Sequence, residues 1–182
     1  MKELKFRDLR ADEIDVRVAM VNEKGVSLLL YKDARCDMNV LDETVGKFGW
    51  DRDHKELKGN IYCGVSIYDN EKGMWVTKWD CGAESFTEKE KGEASDSFKR
   101  ACFNWGIGRE LYTAPFIWIP NKTIKVNSED KLLVKIEKDD NGKWKTKDRF
   151  TVYKMEVTDK QITGLGIGNE TQRVIAYEWD KK

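Results

Sequence analysis

Only two prolines interrupt this chain of 182 residues, Pro115 and Pro120, and they bracket the segment FIWI. Proline lacks a backbone donor and ends ladders and helices, so long stretches on either side are free to form regular structure and the pair marks a boundary. The charge changes sign there. Lys and Arg number 19 against 22 Asp and Glu over residues 1–115, a net of −3, and 14 against 11 over residues 116–182, a net of +3. A formal net charge of zero therefore hides a front of 1–115 and a C-terminal extension of 116–182 with opposite signs.

A neutral total, with 36% charged residues and a mean hydropathy of −0.70, disfavours a uniformly basic nucleic-acid binder, an acidic tail protein and a membrane protein as descriptions of the whole chain. Any charged partner must be met by a local patch. Seven tryptophans carry apolar area that asks to be buried, so the chain is expected to fold. Met1 leads into KELKFRDLRADE with no apolar run, which reads as a cytosolic protein. Cys36, Cys63, Cys81 and Cys102 form no C-x-x-C pair and His54 is the single histidine, so zinc-finger ligation is excluded and four buried, reduced thiols are expected.

The residue pattern predicts an α+β front. IDVRVAMV puts Ile14, Val16 and Val18 on one side and Arg17 on the other, and NEKG turns the chain into GVSLLLYK as a hairpin. Asp33 caps a helix to about Lys47, with Ala34, Met38, Leu41, Val45 and Phe48 at helical spacing. NIYCGVSIYD and MWVTKWDC make a second hairpin. Thr87 with Glu90 has the spacing of a capping box before a helix over 88–105, whose apolar face is Ala94, Phe98, Ala101, Cys102 and Trp105. It should pack on a sheet formed by the hairpins. After Pro120 the segments TIKV, LLVKIE, KWKTK, FTVYKMEV, QITGLGIG and RVIAYEW read as a meander of short strands.

Within the helix over 88–105 the apolar residues fall in a sector roughly 100° wide, with Lys99 and Arg100 outside it on opposite flanks. Two such cations could hold phosphates, Arg through its planar fork and Lys as a point charge. They could equally belong to a solvated face partnered by Glu93 and Asp96. Lys143, Lys145, Lys147 and Arg149 share one face if their segment is a strand, and either track a nucleic-acid backbone or protect an edge from aggregation. No G-x-x-x-x-G-K-[ST] loop for ATP occurs, and Gly164, Gly166 and Gly168 lack the last glycine of a dinucleotide fingerprint. WGIGRELY reads as a helix end and tight turn built on Gly106 and Gly108. Asp51, Asp53 and His54 in the loop D-R-D-H are the one candidate metal-nuclease site.

The order of hairpin, helix ending in GKFGW, hairpin NIYCGVSIYD and then EKGEASDSFKRACFNWGIGRELY resembles the Rad-fifty-two single-strand annealing family over about residues 10–115. Gly92 to Tyr112 looks most like its phage and prophage branch. The resemblance implies a β-β-β-α core that assembles side by side into rings or helical filaments, with a basic groove holding single-stranded DNA by its backbone. It implies no ATP, no cofactor and no covalent step. Matched residue by residue, Arg17 falls on a DNA-contacting arginine, Tyr31 on the groove tyrosine, and Lys99 and Arg100 on the basic pair of the long helix. Phe103 stands where the eukaryotic member has a further arginine. No motif of the family is recognised beyond Pro120, and that region is expected to be specific to its lineage.

The expectation is therefore an α+β, ring-forming protein that anneals single-stranded DNA in a phage or prophage recombination system. It would act in the cytoplasm of a bacterium or infected host, with no metal and no membrane. Its partners would be single-stranded DNA and further copies of itself, with a single-strand-binding protein or a phage exonuclease as additional candidates. The rivals are a module that protects single strands without annealing them, and a metal-dependent nuclease using Asp51, Asp53 and His54.

Overall fold

The computed structural model describes residues 4–82 and 89–181, the side chains of 89–91 excepted. In chain order the elements are β1 (Asp15–Asn22), β2 (Gly25–Tyr31), α1 (Ala34–Val45), β3 (Trp50–Leu57), β4 (Asn60–Asp69), β5 (Met74–Cys81) and α2 (Lys89–Trp105). There follow β6 (Ile117–Pro120), β7 (Thr123–Val126), β8 (Glu129–Leu132), β9 (Glu137–Lys138), β10 (Trp144–Lys145), β11 (Phe150–Thr158), β12 (Gln161–Asn169) and β13 (Val174–Asp180). The fold is α+β, and every strand pair among the described residues is antiparallel. Two compact units interleave in sequence: Met1–Leu9 with Lys32–Arg109, and Arg10–Tyr31 with Glu110–Lys182.

In the first unit β3, β4 and β5 form a three-stranded sheet, and α2 packs against β4 and β5. Alternation along β4 sends Cys63, Val65 and Ile67 to the helix, where they meet Phe98, Ala101 and Cys102 of α2 in the buried core. Asp33 caps α1 by accepting from the backbone N–H groups of Arg35 and Cys36, as the sequence predicts. The Thr87 cap of α2 lies outside the described residues.

Trp105 is only partly buried, but its indole N–H donates to Val65 O at 2.8 Å and Lys78 Nζ lies 4.5 Å over its ring. Trp105→Ala is expected to destabilise this unit by about 3 kcal/mol, measured as the shift of its chemical unfolding midpoint.

Three expectations are corrected here. Phe48 leaves the apolar face of α1, because the helix ends at Val45 and Gly46 N–H closes on Asp42 O. Phe48 is 97% exposed, and the buried side of α1 is Cys36, Asp37, Val40 and Leu41. D-R-D-H is not a loop but part of β3, in register with β4 from Trp50 opposite Ile67 to Leu57 opposite Asn60. Cys36, Cys63 and Cys102 are buried free thiols, whereas Cys81 is only partly buried, with its thiol donating to Gly82 O at 3.3 Å.

In the second unit the strands run in the order β13-β12-β11-β1-β2-β6. The hairpin β1–β2 therefore sits between strands from the far end of the chain, with Asp15 opposite Thr151 and Leu28 opposite Ile117. Val26, Leu28, Ile117, Ile119, Leu165 and Ile167 fill its core. Gly164, Gly166 and Gly168 lie inside β12, so no phosphate-binding turn forms there.

The meander after Pro120 departs from expectation in two places. LLVKIE is not one strand, since β8 ends at Leu132 and β9 begins at Glu137. KWKTK pairs only at Trp144 and Lys145, because the next residues turn to other partners. Thr146 Oγ1 donates to Lys135 O, and the buried Asp148 carboxylate accepts from Lys135 N–H, Asn169 and Gln172.

Candidate nucleic-acid interface

Helical geometry places Lys99 and Arg100 on either side of the α2 face that carries Phe98, Ala101 and Cys102, so each leans toward a different neighbour. Arg100 leans toward β5, where its Nε lies 3.4 Å from Asp80 Oδ1. Asn104, one turn on, donates to Asp80 Oδ2 and to Trp79 O. Lys99 leans toward α1, where its charge acts on the buried Asp37. It forms no ion pair among the described residues.

Under Lys99 lies a polar cluster that the sequence does not announce. Lys32 Nζ donates to Asp37 Oδ1 with both side chains buried, and the same ammonium sits 4.3 Å from the centroid of the Phe103 ring. Gly108 makes the space: with φ +75, it would bring a Cβ to 2.6 Å from Lys32 Cε. Burial pushes the Asp37 carboxyl up from 3.8 to about 6, against the opposing pull of Lys32, Lys99 and the Cys102 thiol. Cys102 is itself pushed up, by burial first and then by the Asp37 charge.

The folded protein therefore binds more protons at Asp37 than the unfolded chain does between about pH 4 and 6, and stability falls as pH rises through that window. Asp37→Asn is expected to abolish this slope in unfolding measurements across that range.

The C-terminus of α2 gathers further cations. Lys78 Nζ donates to Asn104 O at 2.8 Å, and Arg109 donates to Phe103 O and Asn104 O, so both satisfy end carbonyls and complement the helix dipole. Burial, together with the charge of Arg109, holds the Lys78 ammonium below its ordinary pKa. Sequence reasoning missed Lys32, Lys78 and Arg109. The helix end WGIGRELY was a usable signal for Arg109, whereas Lys78 appears as an alternating strand residue like any other.

Arg17 and Tyr31 belong to the second unit. Arg17 pairs with Leu29 and Asp15 with Tyr31, so alternation puts Arg17 and Tyr31 on one face as diagonal neighbours, both exposed. Arg17 forms no ion pair among the described residues. Lys99 and Arg100 belong to the first unit.

The stripe at 143–149 is broken by the turn after Lys145. Lys147 pairs with Glu137 at 3.4 Å and Arg149 with Glu170 at 3.9 Å. In β3, alternation separates Asp51 and Asp53 from His54, whose Nε2 turns to Ala94 O at 3.3 Å. Among the described residues no group of three His, Cys, Asp or Glu side chains is placed to hold a metal ion.

The class to which this chain belongs is set by comparison with known families. Residues 4–130 match the model described as Rad52/22 family double-strand break repair protein, more than half of the chain and past the expected limit at Pro120. The chain belongs to the Rad52/22 family, and so to DNA recombination and repair. Comparison with curated proteins and with solved structures gives no match. No helix among the described residues is long and apolar enough to cross a membrane.

Proposed function

We propose that the protein binds single-stranded DNA and anneals complementary strands without ATP, a cofactor or a covalent step, as a homo-oligomeric ring or filament. The family match over residues 4–130 carries this reading. Annealing asks for contacts to phosphates, because base edges must stay free to pair. Lys99 and Arg100 on the flanks of α2, with Arg17 and Tyr31 on β1 and β2, are the contacts we assign to the strand. Lys143, Lys145, Lys147 and Arg149 are a secondary basic segment.

A few cations per subunit bind weakly alone, and repetition around an assembly makes one multivalent surface from them. Phe103, where the eukaryotic member has an arginine, leaves one cation fewer per subunit, and its ring covers the Lys32 ammonium instead. The setting we infer is a phage or prophage recombination system in a bacterial cytoplasm.

The test is a pairing assay with two complementary labelled oligonucleotides and no nucleotide cofactor. The expected result is faster pairing with protein than without. Protection of single strands from a nuclease with no acceleration would give the function to a non-annealing binding module.

A further inference from the structure

The three-stranded sheet of the first unit has α2 on one face, and its opposite face is strongly aromatic. Register puts Trp75 beside Tyr68 and Trp79 beside Gly64, with Tyr62 and Leu57 on the same side. Trp75, Trp79 and Leu57 are 46%, 37% and 57% exposed. Gly64 leaves the Trp79 ring lying flat against the strand, since a Cβ there would fall 2.6 Å from the indole.

At one end of the sheet a cavity of about 880 Å³ is framed by Tyr68, Trp75, Val76 and Trp105, and Phe48 stands at its rim with almost its whole side chain in solvent. At roughly 100 Å² for each half-exposed large side chain, the patch offers on the order of 600 Å² of apolar surface. That reaches the upper end of what a lone soluble protein shows, and approaches the ~800 Å² per partner of a standard interface.

We propose that this aromatic face is the contact between successive copies of the chain, an inference that rests on the self-assembling reading above. Two observations choose this occupant. Asp51, Asp53 and Lys55 line the same face along β3 and are exposed; Lys55 pairs with Asp53 at 3.9 Å and stands 4.5 Å over the Trp79 ring, so a phosphate backbone laid across the face meets a net negative charge and a lysine already engaged. The patch also carries a projection, Phe48, next to a recess of a size to receive one. Every copy thus offers both halves of a heterologous contact that repeats from subunit to subunit. The aromatic side chains stand in two groups, Tyr68 with Trp75 and Tyr62 with Trp79, separated by the hydrogen-bonded Ser66–Thr77 pair, and Trp and Tyr are the residue types enriched at interface anchors.

The test measures the mass of the full chain in solution over a dilution series, together with quenching of tryptophan emission by acrylamide. The expected result is an assembly in which the tryptophans are shielded, and whose dissociation midpoint rises about thirtyfold in Trp75→Glu, the effect of losing one central anchor. Leu57→Glu is the second variant. Its side chain is mostly in solvent and the fold does not depend on it, so it decides the matter if Trp75→Glu fails to fold.

Variants that assemble as tightly as the parent overturn this face while leaving assembly standing. A parent chain that stays monomeric at every concentration overturns both. Shielding of the tryptophans by a single-stranded oligonucleotide, without any change of mass, gives the face to nucleic acid and overturns the proposal.

Discussion

Lys32→Met is expected to destabilise the first unit by about 3–5 kcal/mol at pH 7.5, because it strands the Asp37 carboxylate in the core without its partner. Lys32 is 2% exposed, and water cannot replace the lost ammonium. The same substitution removes the cation held under the Phe103 ring. Hydrogen exchange of the α2 amides reads this unit directly and should show faster opening in the variant.

Two controls separate burial of a charge from loss of packing. Lys32→Met with Asp37→Leu should recover most of the stability, since a buried ion pair replaced by apolar side chains of similar volume is near neutral or better. Lowering the pH to 5 should shrink the loss in the single variant, because Asp37, already raised to about 6 in the parent, takes a proton instead of standing charged and unpaired. A single variant with the unfolding midpoint of the parent at pH 7.5 would show that the pair contributes nothing.

The second large effect concerns the strand. Lys99→Glu with Arg100→Glu should weaken binding of a single-stranded oligonucleotide at low salt by about a hundredfold. It should also flatten the dependence of log K on log salt by roughly 1.4 per subunit, the contribution of two phosphate contacts on a single strand. The fold should survive. Neither residue belongs to the buried face of α2, and the Arg100 contact with Asp80 is a surface pair of small worth. Salt titration of fluorescence anisotropy measures both quantities. Unchanged binding at low salt would remove α2 from the interface.

Where the sequence carried a periodic apolar signal, it led to the right element. β1 and β4 show period-two alternation in sequence, β2 is found as the continuation of a turn, and α1 announces itself through the Asp33 cap. β3 was hidden because it is a sheet edge whose helix-facing side is Trp50, Arg52 and His54 rather than an apolar series. Arg52 sits 5.0 Å over the Phe98 ring and His54 turns to a helix carbonyl, so polar residues do the covering and the pattern reads as loop.

Phe48 was misplaced because helical spacing continues in the sequence past Gly46, where the backbone does not. The Lys32–Asp37 pair was illegible for a different reason. Lysine and aspartate at a strand-to-helix junction look solvated, and only the approach of α2 over α1 and the room left by Gly108 show that water is excluded. Lys99 and Arg100 were legible as cations outside an apolar sector, whereas their separate leanings toward Asp37 and Asp80 depend on elements distant in sequence.

The hairpin β1–β2 precedes in sequence both strands that flank it, β6 and β11, by about ninety and a hundred and thirty residues. Lys32–Arg109, by contrast, is complete once α2 and its closing turn have emerged. During synthesis the hairpin must therefore wait with both of its sheet edges unpaired, the state in which strands recruit wrong neighbours. The stretch of synthesis between the hairpin and its flanking strands is thus a window in which unpaired strand edges stand exposed, one that the locally completed first unit does not have.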